Sequence, residues 1–144
     1  MRKIAEYIAR VFRKIYREKA EVVIVLYSSP SPFVDSERDF VEKGSLGEYS
    51  YISFFGKDFI PLDPVVESIR KAKEKTDFVC VIHIHGEPIP PTDMDIRMTE
   101  ELRKEGVNLY FVGWPNGEFL HLKELLHKNI KTYRCPLQKL LRES

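Results

Sequence analysis

The sequence predicts an α/β domain, because helical and strand patterns alternate along its 144 residues. Apolar residues recur at helical spacing through residues 2–19, with Lys, Arg and Glu between them. Unbroken apolar runs predict strands at 21–27 and 78–85, and such runs are typical of strands covered on both faces. The length is that of one domain, so residues 1–144 are expected to form a single unit.

The remaining elements are predicted from apolar patterns and turn-forming residues. Residues 28–48 are polar and rich in proline and glycine, which predicts a long loop with a short helical turn at 36–43. Asp63 is expected to cap a helix whose first residue is Pro64. The other predicted elements are a strand at 49–55, helices at 64–75 and 93–105 (with Ile96, Met98 and Leu102 as apolar positions of the latter), and strands at 107–114 and 119–122.

Composition limits the classes of partner and compartment. The formal net charge is +1, so no bulk attraction to nucleic acid or to a membrane surface is expected. The N-terminus has no apolar segment of the kind found in signal peptides, and no apolar run reaches 18 residues. A cytoplasmic location is therefore expected.

The two cysteines do not form a CxxC motif. Cys80 lies within an apolar strand and is expected to be an inert buried thiol. Cys135 lies in the basic C-terminal tail, where it is a free thiol or a link between two chains. A monomer and a homodimer are both compatible with the sequence.

Two histidines close the strand predicted at 78–85. His83 and His85 stand at positions i and i+2, so their side chains point to the same side of the strand. Asp95 follows in the first turn of the next predicted helix, from which the loop could fold it back toward them. Two imidazoles and one carboxylate form a three-ligand set for Zn²⁺, with a fourth position for water, as in catalytic zinc sites.

Each part of this pattern also has an interpretation without a metal. A His-x-His pair can be only the polar end of a strand. Thr92 and Asp95 have the spacing of a helix capping box. The two interpretations are compatible, because the helix dipole keeps an N-terminal Asp ionised, as a metal ligand must be. His121 and His127 show no ligand spacing to the first pair and are expected at the surface or in packing.

The stretch from His83 to Asp95 resembles the signature of the JAMM (MPN+) family of zinc metalloproteases, which is His-x-His-Pro, a short loop and Pro-Ser-x-x-Asp. Three differences are visible. Gly86 replaces the family's Pro, Thr92 replaces its Ser, and the loop is one residue shorter. Asp95 keeps the Thr-x-x-Asp spacing and is the expected third ligand, with Asp93 as the alternative.

The resemblance extends to the first strand. In the family an N-terminal helix precedes a strand whose first residue is the catalytic Glu, and Glu21 occupies the matching place. The family's Gly in that strand is Ile24 here. By its position alone, Glu21 is an ordinary charge at a helix–strand junction. The alternative candidates are Glu18, Glu48 and Glu87.

The resemblance implies a curved mixed sheet flanked by helices, a single JAMM/MPN domain of the cytidine-deaminase-like type. It also implies that Glu21 is the general base and that the Thr92 hydroxyl helps to stabilise the oxyanion, beside Zn²⁺ bound by His83, His85 and Asp95. The implied reaction is cleavage after the C-terminal Gly-Gly of a ubiquitin-like modifier or its conjugates, as in small archaeal desampylases. The loop at 28–48 would then be a candidate substrate clamp.

Two other functions remain open on the sequence. The same site could process a sulfur-carrier protein. Alternatively, the domain could be a non-catalytic MPN scaffold, which would need neither Glu21 nor zinc.

Overall fold

The computed structural model of the chain describes residues 2–34, 40–57, 59–87, 93–107, 109–114, 118–121 and 133–134. Within these ranges the elements in chain order are α1 (Arg2–Glu18), β1 (Glu21–Ser28), β2 (Val41–Leu46), β3 (Tyr49–Gly56), α2 (Leu62–Lys73), β4 (Val79–Ile84), α3 (Asp93–Lys104), β5 (Leu109–Gly113), β6 (Glu118–His121) and β7 (Tyr133–Arg134).

The strands form one mixed sheet in the order β2-β3-β1-β4-β5-β6-β7. β4 and β5 are parallel, and every other neighbouring pair is antiparallel. Parallel neighbours need a crossover connection, and α3 lies in the connection between β4 and β5. The prediction of an α/β fold with a mixed sheet flanked by helices is therefore confirmed at this level.

Helices cover both faces of the sheet. The odd-numbered residues Val23 and Val25 of β1 pack in one core with α2 and α3. The even-numbered residues Val22 and Ile24 pack in a second core with α1. This division follows from the alternation of side chains along a strand. It explains why β1 and β4 read as unbroken apolar runs.

Residues 41–46 form a strand, so the prediction of a loop through 28–48 was wrong there, and the helical turn proposed at 36–43 is excluded for residues 41–43. β2 is an edge strand with only β3 beside it, and most of its side chains are partly or fully exposed. Its sequence therefore lacks a clear apolar alternation. The β2–β3 turn contains Gly47 at φ +71°, a conformation that favours glycine.

Two details of the helices also differ from the predictions. α2 begins at Leu62 after Pro61, so Asp63 lies in the first turn and is not the cap. In α3, Met98 and Leu102 are buried as predicted, whereas Ile96 is 41% exposed. Cys80 is a buried free thiol, and burial raises its pKa. None of the helices in the described ranges is long and apolar enough to cross a membrane.

Candidate metal centre

The pairing of β1 with β4 brings Glu21 beside the two histidines. Val23 lies opposite His83 and Val22 opposite Ile84, so continuing the antiparallel register places Glu21 opposite His85. Alternate residues of a strand share a face, and Val23 belongs to the core covered by α2 and α3. Glu21, His83 and His85 therefore lie on that face, at the end of the sheet where β1 begins and β4 ends.

α3 brings Asp95 to the same place. Asp95, Met98, Thr99 and Leu102 recur at i, i+3, i+4 and i+7 and are all buried, so they form the inner face of the helix. Asp95 is the third residue of α3, where the positive end of the helix dipole favours a carboxylate. The Thr99 hydroxyl donates a hydrogen bond of 2.8 Å to the Asp95 carbonyl.

The four side chains form one buried cluster. His83 Nδ1 lies 3.1 Å from Asp95 Oδ1, and His85 Nε2 lies 3.2 Å from Asp95 Oδ2. On the other side, Glu21 Oε2 lies 3.3 Å from His85 Nδ1 and 3.7 Å from His83 Nε2. The side chain of Asp95 is closed to solvent, whereas that of Glu21 is 18% exposed. Only one of the two carboxylates can therefore be reached from outside.

Among the described residues, three of the four imidazole nitrogens have no hydrogen bond, although carboxylate oxygens lie 3.1, 3.3 and 3.7 Å from them. These atoms are both ring nitrogens of His83 and Nδ1 of His85. Buried polar atoms are normally hydrogen-bonded, so such a group requires an explanation. One donor atom from each of Glu21, His83 and His85 lies within 4.8 Å of the others, and these three residues could hold a metal ion. Imidazoles and carboxylates suit a divalent ion such as zinc.

The four ionisable side chains of the cluster strongly shift one another's pKa values. Burial would raise the pKa of Glu21, but contact with His83 and His85 outweighs burial and lowers it to about 2. Burial would lower the pKa of His85, but contact with Asp95 and Glu21 raises it to about 9. The pKa of His83 is raised and that of Asp95 is lowered for the same reasons. Protons on the imidazoles balance the carboxylates here, and a bound cation would replace those protons.

Trp114 supports His85 from the neighbouring strand, and the sequence reasoning missed it. The His85 backbone N–H donates a 2.9 Å hydrogen bond to the Gly113 carbonyl, which extends the β4–β5 ladder one residue beyond the end of β4. The Trp114 ring stacks on the His85 ring with centroids 5.8 Å apart. The parallel order β4-α3-β5 is the sequence signal that could have placed Trp114 here, since parallel strands end at the same edge.

Gly86 lies against the residue that precedes Glu21. A Cβ atom at Gly86 would be 2.0 Å from the Ala20 carbonyl oxygen and 3.0 Å from that of Ile15. Both neighbours are backbone atoms, which a side-chain rotation cannot move. The Ala20 N–H also donates to the Ile15 carbonyl at 3.0 Å, which fixes the junction of α1 and β1. Gly86 therefore holds the exit of β4 in direct backbone contact with the entry of β1.

The structure thus brings together Glu21, His83, His85 and Asp95 from the predicted site. Thr92, the fifth predicted residue, lies outside the described residues, as do Cys135, His127 and residues 115–117, between the strands predicted at 107–114 and 119–122. The alternatives to the assigned carboxylates, Asp93, Glu18, Glu48 and Glu87, are all exposed.

Comparison of the chain with known protein families, with curated proteins and with solved structures gave no match. The chemistry of the cluster and the resemblance of its sequence motif to the JAMM signature are therefore the grounds for assigning a function.

The pKa shifts predict how the stability of the metal-free protein depends on pH. The raised pKa of His85 stabilises the fold fully below about pH 6.5, and this contribution is lost as the pH rises through about 9. The lowered pKa of Glu21 stabilises the fold above about pH 4.5, and this contribution is lost as the pH falls toward about 2. The cluster should therefore stabilise the chain most between pH 4.5 and 6.5.

Urea denaturation with a chelator present, at pH 5.5 and pH 9.5, measures this effect. One pKa unit corresponds to about 1.4 kcal/mol, so His85 lowers the free energy of unfolding by at most about 3 kcal/mol between pH 5.5 and pH 9.5. In His85→Gln the fall in the free energy of unfolding over this interval should be smaller by about 3 kcal/mol. An equal loss in both proteins would show that His85 is not the titrating group.

Replacing Gly86 by alanine should separate β4 from the α1–β1 junction. We expect Gly86→Ala to lower the free energy of unfolding by about 1–3 kcal/mol, because backbone must shift to admit the methyl group. It should also weaken metal binding, since His85 precedes Gly86. Gly44→Ala is the matched control. Its added Cβ would meet the Tyr51 hydroxyl at 2.7 Å on the edge strand, so it should lower stability and leave metal affinity unchanged.

Proposed function

We propose that this chain is a zinc-dependent isopeptidase of the JAMM type, acting on a ubiquitin-like modifier protein or its conjugates. The observation that carries the proposal is the set of buried imidazole nitrogens that have no hydrogen bond among the described residues and are enclosed by two carboxylates. A zinc ion would bind one nitrogen of each imidazole, and the second nitrogen of each ring would lie beside a carboxylate. The His-x-His and Thr-x-x-Asp spacing of the sequence supports this particular chemistry over other uses of a metal site.

The difference in exposure between the two carboxylates supports a division of roles. Asp95 is closed to solvent and contacts both histidines, which suits a permanent ligand. Glu21 is 18% exposed and lies on the open side of the cluster, where water and substrate can reach it, which suits a general base. We therefore assign the third ligand to Asp95, with the exposed Asp93 as the weaker alternative. Glu21 could also join the two histidines around a metal ion, and it is assigned as the base because of its exposure.

Bound zinc would acidify a coordinated water and polarise the substrate carbonyl. Glu21 would take the proton from the attacking water and deliver it to the leaving amine. His83, His85 and Asp95 would keep the metal and its open position in place. The low pKa of Glu21 depends on the imidazoles of the metal-free cluster, and histidines bind a metal as neutral ligands. Metal binding would thus replace the protons of the imidazoles near Glu21 with the charge of the ion.

The substrate class is proposed from the resemblance: a modifier with a C-terminal Gly-Gly, joined to an amine by a peptide or isopeptide bond. Glycines would allow an extended tail to approach the cluster closely. Trimming of a sulfur-carrier protein uses the same bond chemistry and is the alternative substrate. A non-catalytic scaffold is disfavoured, because such a domain would have no use for two buried histidines between two carboxylates.

Metal content tests the first step of the proposal. Protein reconstituted with zinc and then desalted should retain about one zinc per chain by elemental analysis. His85→Ala should lose it, because one of two imidazole ligands is gone. Glu48→Gln, at an exposed carboxylate remote from the cluster, should retain it. Absence of zinc from the reconstituted wild type would contradict the proposal.

Isosteric amides at the two carboxylates test the division of roles. Asp95→Asn should lower zinc affinity, because a charged ligand is lost. Glu21→Gln should retain zinc and lose about 100- to 10,000-fold in the rate of cleavage of a Gly-Gly isopeptide conjugate. The assay should include a sulfur-carrier precursor as a second substrate. Loss of zinc in Glu21→Gln but not in Asp95→Asn would reverse the two assignments.

A further inference from the structure

Tyr110 carries a buried hydroxyl that nothing in the described structure explains. The residue lies on β5 and is closed to solvent, in the core shared with α2 and α3. Its hydroxyl has no hydrogen-bond partner among the described residues. A phenylalanine would fill the same space without burying an unsatisfied polar atom, so apolar packing alone does not account for tyrosine at this position.

The position of Tyr110 connects it to the metal centre. Tyr110, Val112 and Trp114 alternate along one face of β5 and its extension, and Trp114 stacks on His85. α3, which carries Asp95, packs against β5. Burial raises the pKa of Tyr110, and the charges of Asp95 and Glu21 raise it further. Val81 pairs with Tyr110 and His83 with Val112, so Tyr110 lies on the neighbouring strand and on the same face of the sheet as His83, and its neutral phenol can donate a hydrogen bond.

We propose that Tyr110 is a positioning residue of the metal centre, whose hydroxyl donates a hydrogen bond to the Asp95 carboxylate, directly or through one buried water, when the metal is bound. An ionised carboxylate has about four acceptor positions, more than one metal bond uses. Partners of this kind hold a ligand in its binding orientation. The inference rests on the proposed metal site and adds a residue that the sequence motif does not contain.

In the metal-free arrangement the Tyr110 hydroxyl has no hydrogen-bond partner among the described residues, and the position of Asp95 accounts for this. There, Asp95 is drawn to both imidazoles, with its two oxygens 3.1 and 3.2 Å from them. When those nitrogens bind a metal, the carboxylate no longer has to neutralise protonated rings. The Tyr110 hydroxyl would then donate to that carboxylate, and its hydrogen bond would contribute to metal affinity instead of to the stability of the metal-free protein.

The test compares Tyr110→Phe with wild type in two measurements. Zinc affinity is measured by competition with a chromophoric chelator. Fluorescence of Trp114, the only tryptophan of the chain, reports the same site because its ring lies on His85. We expect Tyr110→Phe to bind zinc about 10- to 100-fold more weakly. The metal-free variant should be as stable as wild type or more stable in urea, because the deleted hydroxyl has no partner.

Tyr27→Phe is the matched control. Tyr27 is buried in the same core, but its hydroxyl accepts a hydrogen bond from the Val34 N–H, and it lies at the opposite end of β1 from Glu21. This variant should lose some stability and keep wild-type zinc affinity. If Tyr110 had a purely structural role, Tyr110→Phe would also lose stability and keep wild-type zinc affinity. That result would overturn the inference.

The two proposals fail in distinguishable ways. If wild type binds zinc and Tyr110→Phe binds it equally well, the role of Tyr110 is wrong and the metal site stands. If wild type binds no zinc after reconstitution, the metal site is wrong and the role of Tyr110 falls with it.

Discussion

The buried contact of two imidazoles with two carboxylates is the interaction on which the candidate metal centre depends. Removing charges from water is unfavourable unless each charge finds a partner. His83, His85 and Asp95 are all nearly closed to solvent, so their mutual contacts compensate for that burial. Apolar side chains would stabilise this position at least as well. The presence of four ionisable groups there therefore indicates a role other than stability.

The fold delivers these groups from regular elements that pack on apolar cores. Glu21 begins the central strand β1, the histidines lie at and just beyond the end of the neighbouring strand β4, and Asp95 lies in the first turn of α3. The inner face of α3 continues from Asp95 into Met98 and Leu102, which anchor the helix in the core. A site built on helices and strands is held more firmly than one built on loops. Its geometry is therefore expected to persist without a ligand.

The parts of the site that depend on local sequence could be predicted, and the parts that depend on tertiary neighbours could not. The i, i+2 spacing of His83 and His85 and the position of Asp95 in a helical turn are local features. Trp114 and Tyr110 approach the site only because β5 pairs in parallel with β4. The hairpin strand β2 was missed because an exposed edge strand has little apolar pattern. The apolar pattern predicts Ile96 on the inner face of α3. The buried residue there is instead the charged Asp95, and Ile96 is exposed.

The difference from the JAMM motif at Gly86 has a physical reason in this chain. Proline also has a Cβ atom, so the Ala20 carbonyl that excludes alanine from this position would exclude proline as well. The exit of β4 consequently approaches the α1–β1 junction more closely than any residue with a side chain would allow. Glu21 and His85 are the next residues on either side of this contact. The positions of the two residues that bear the carboxylate and the imidazole are thus set by two backbones in contact.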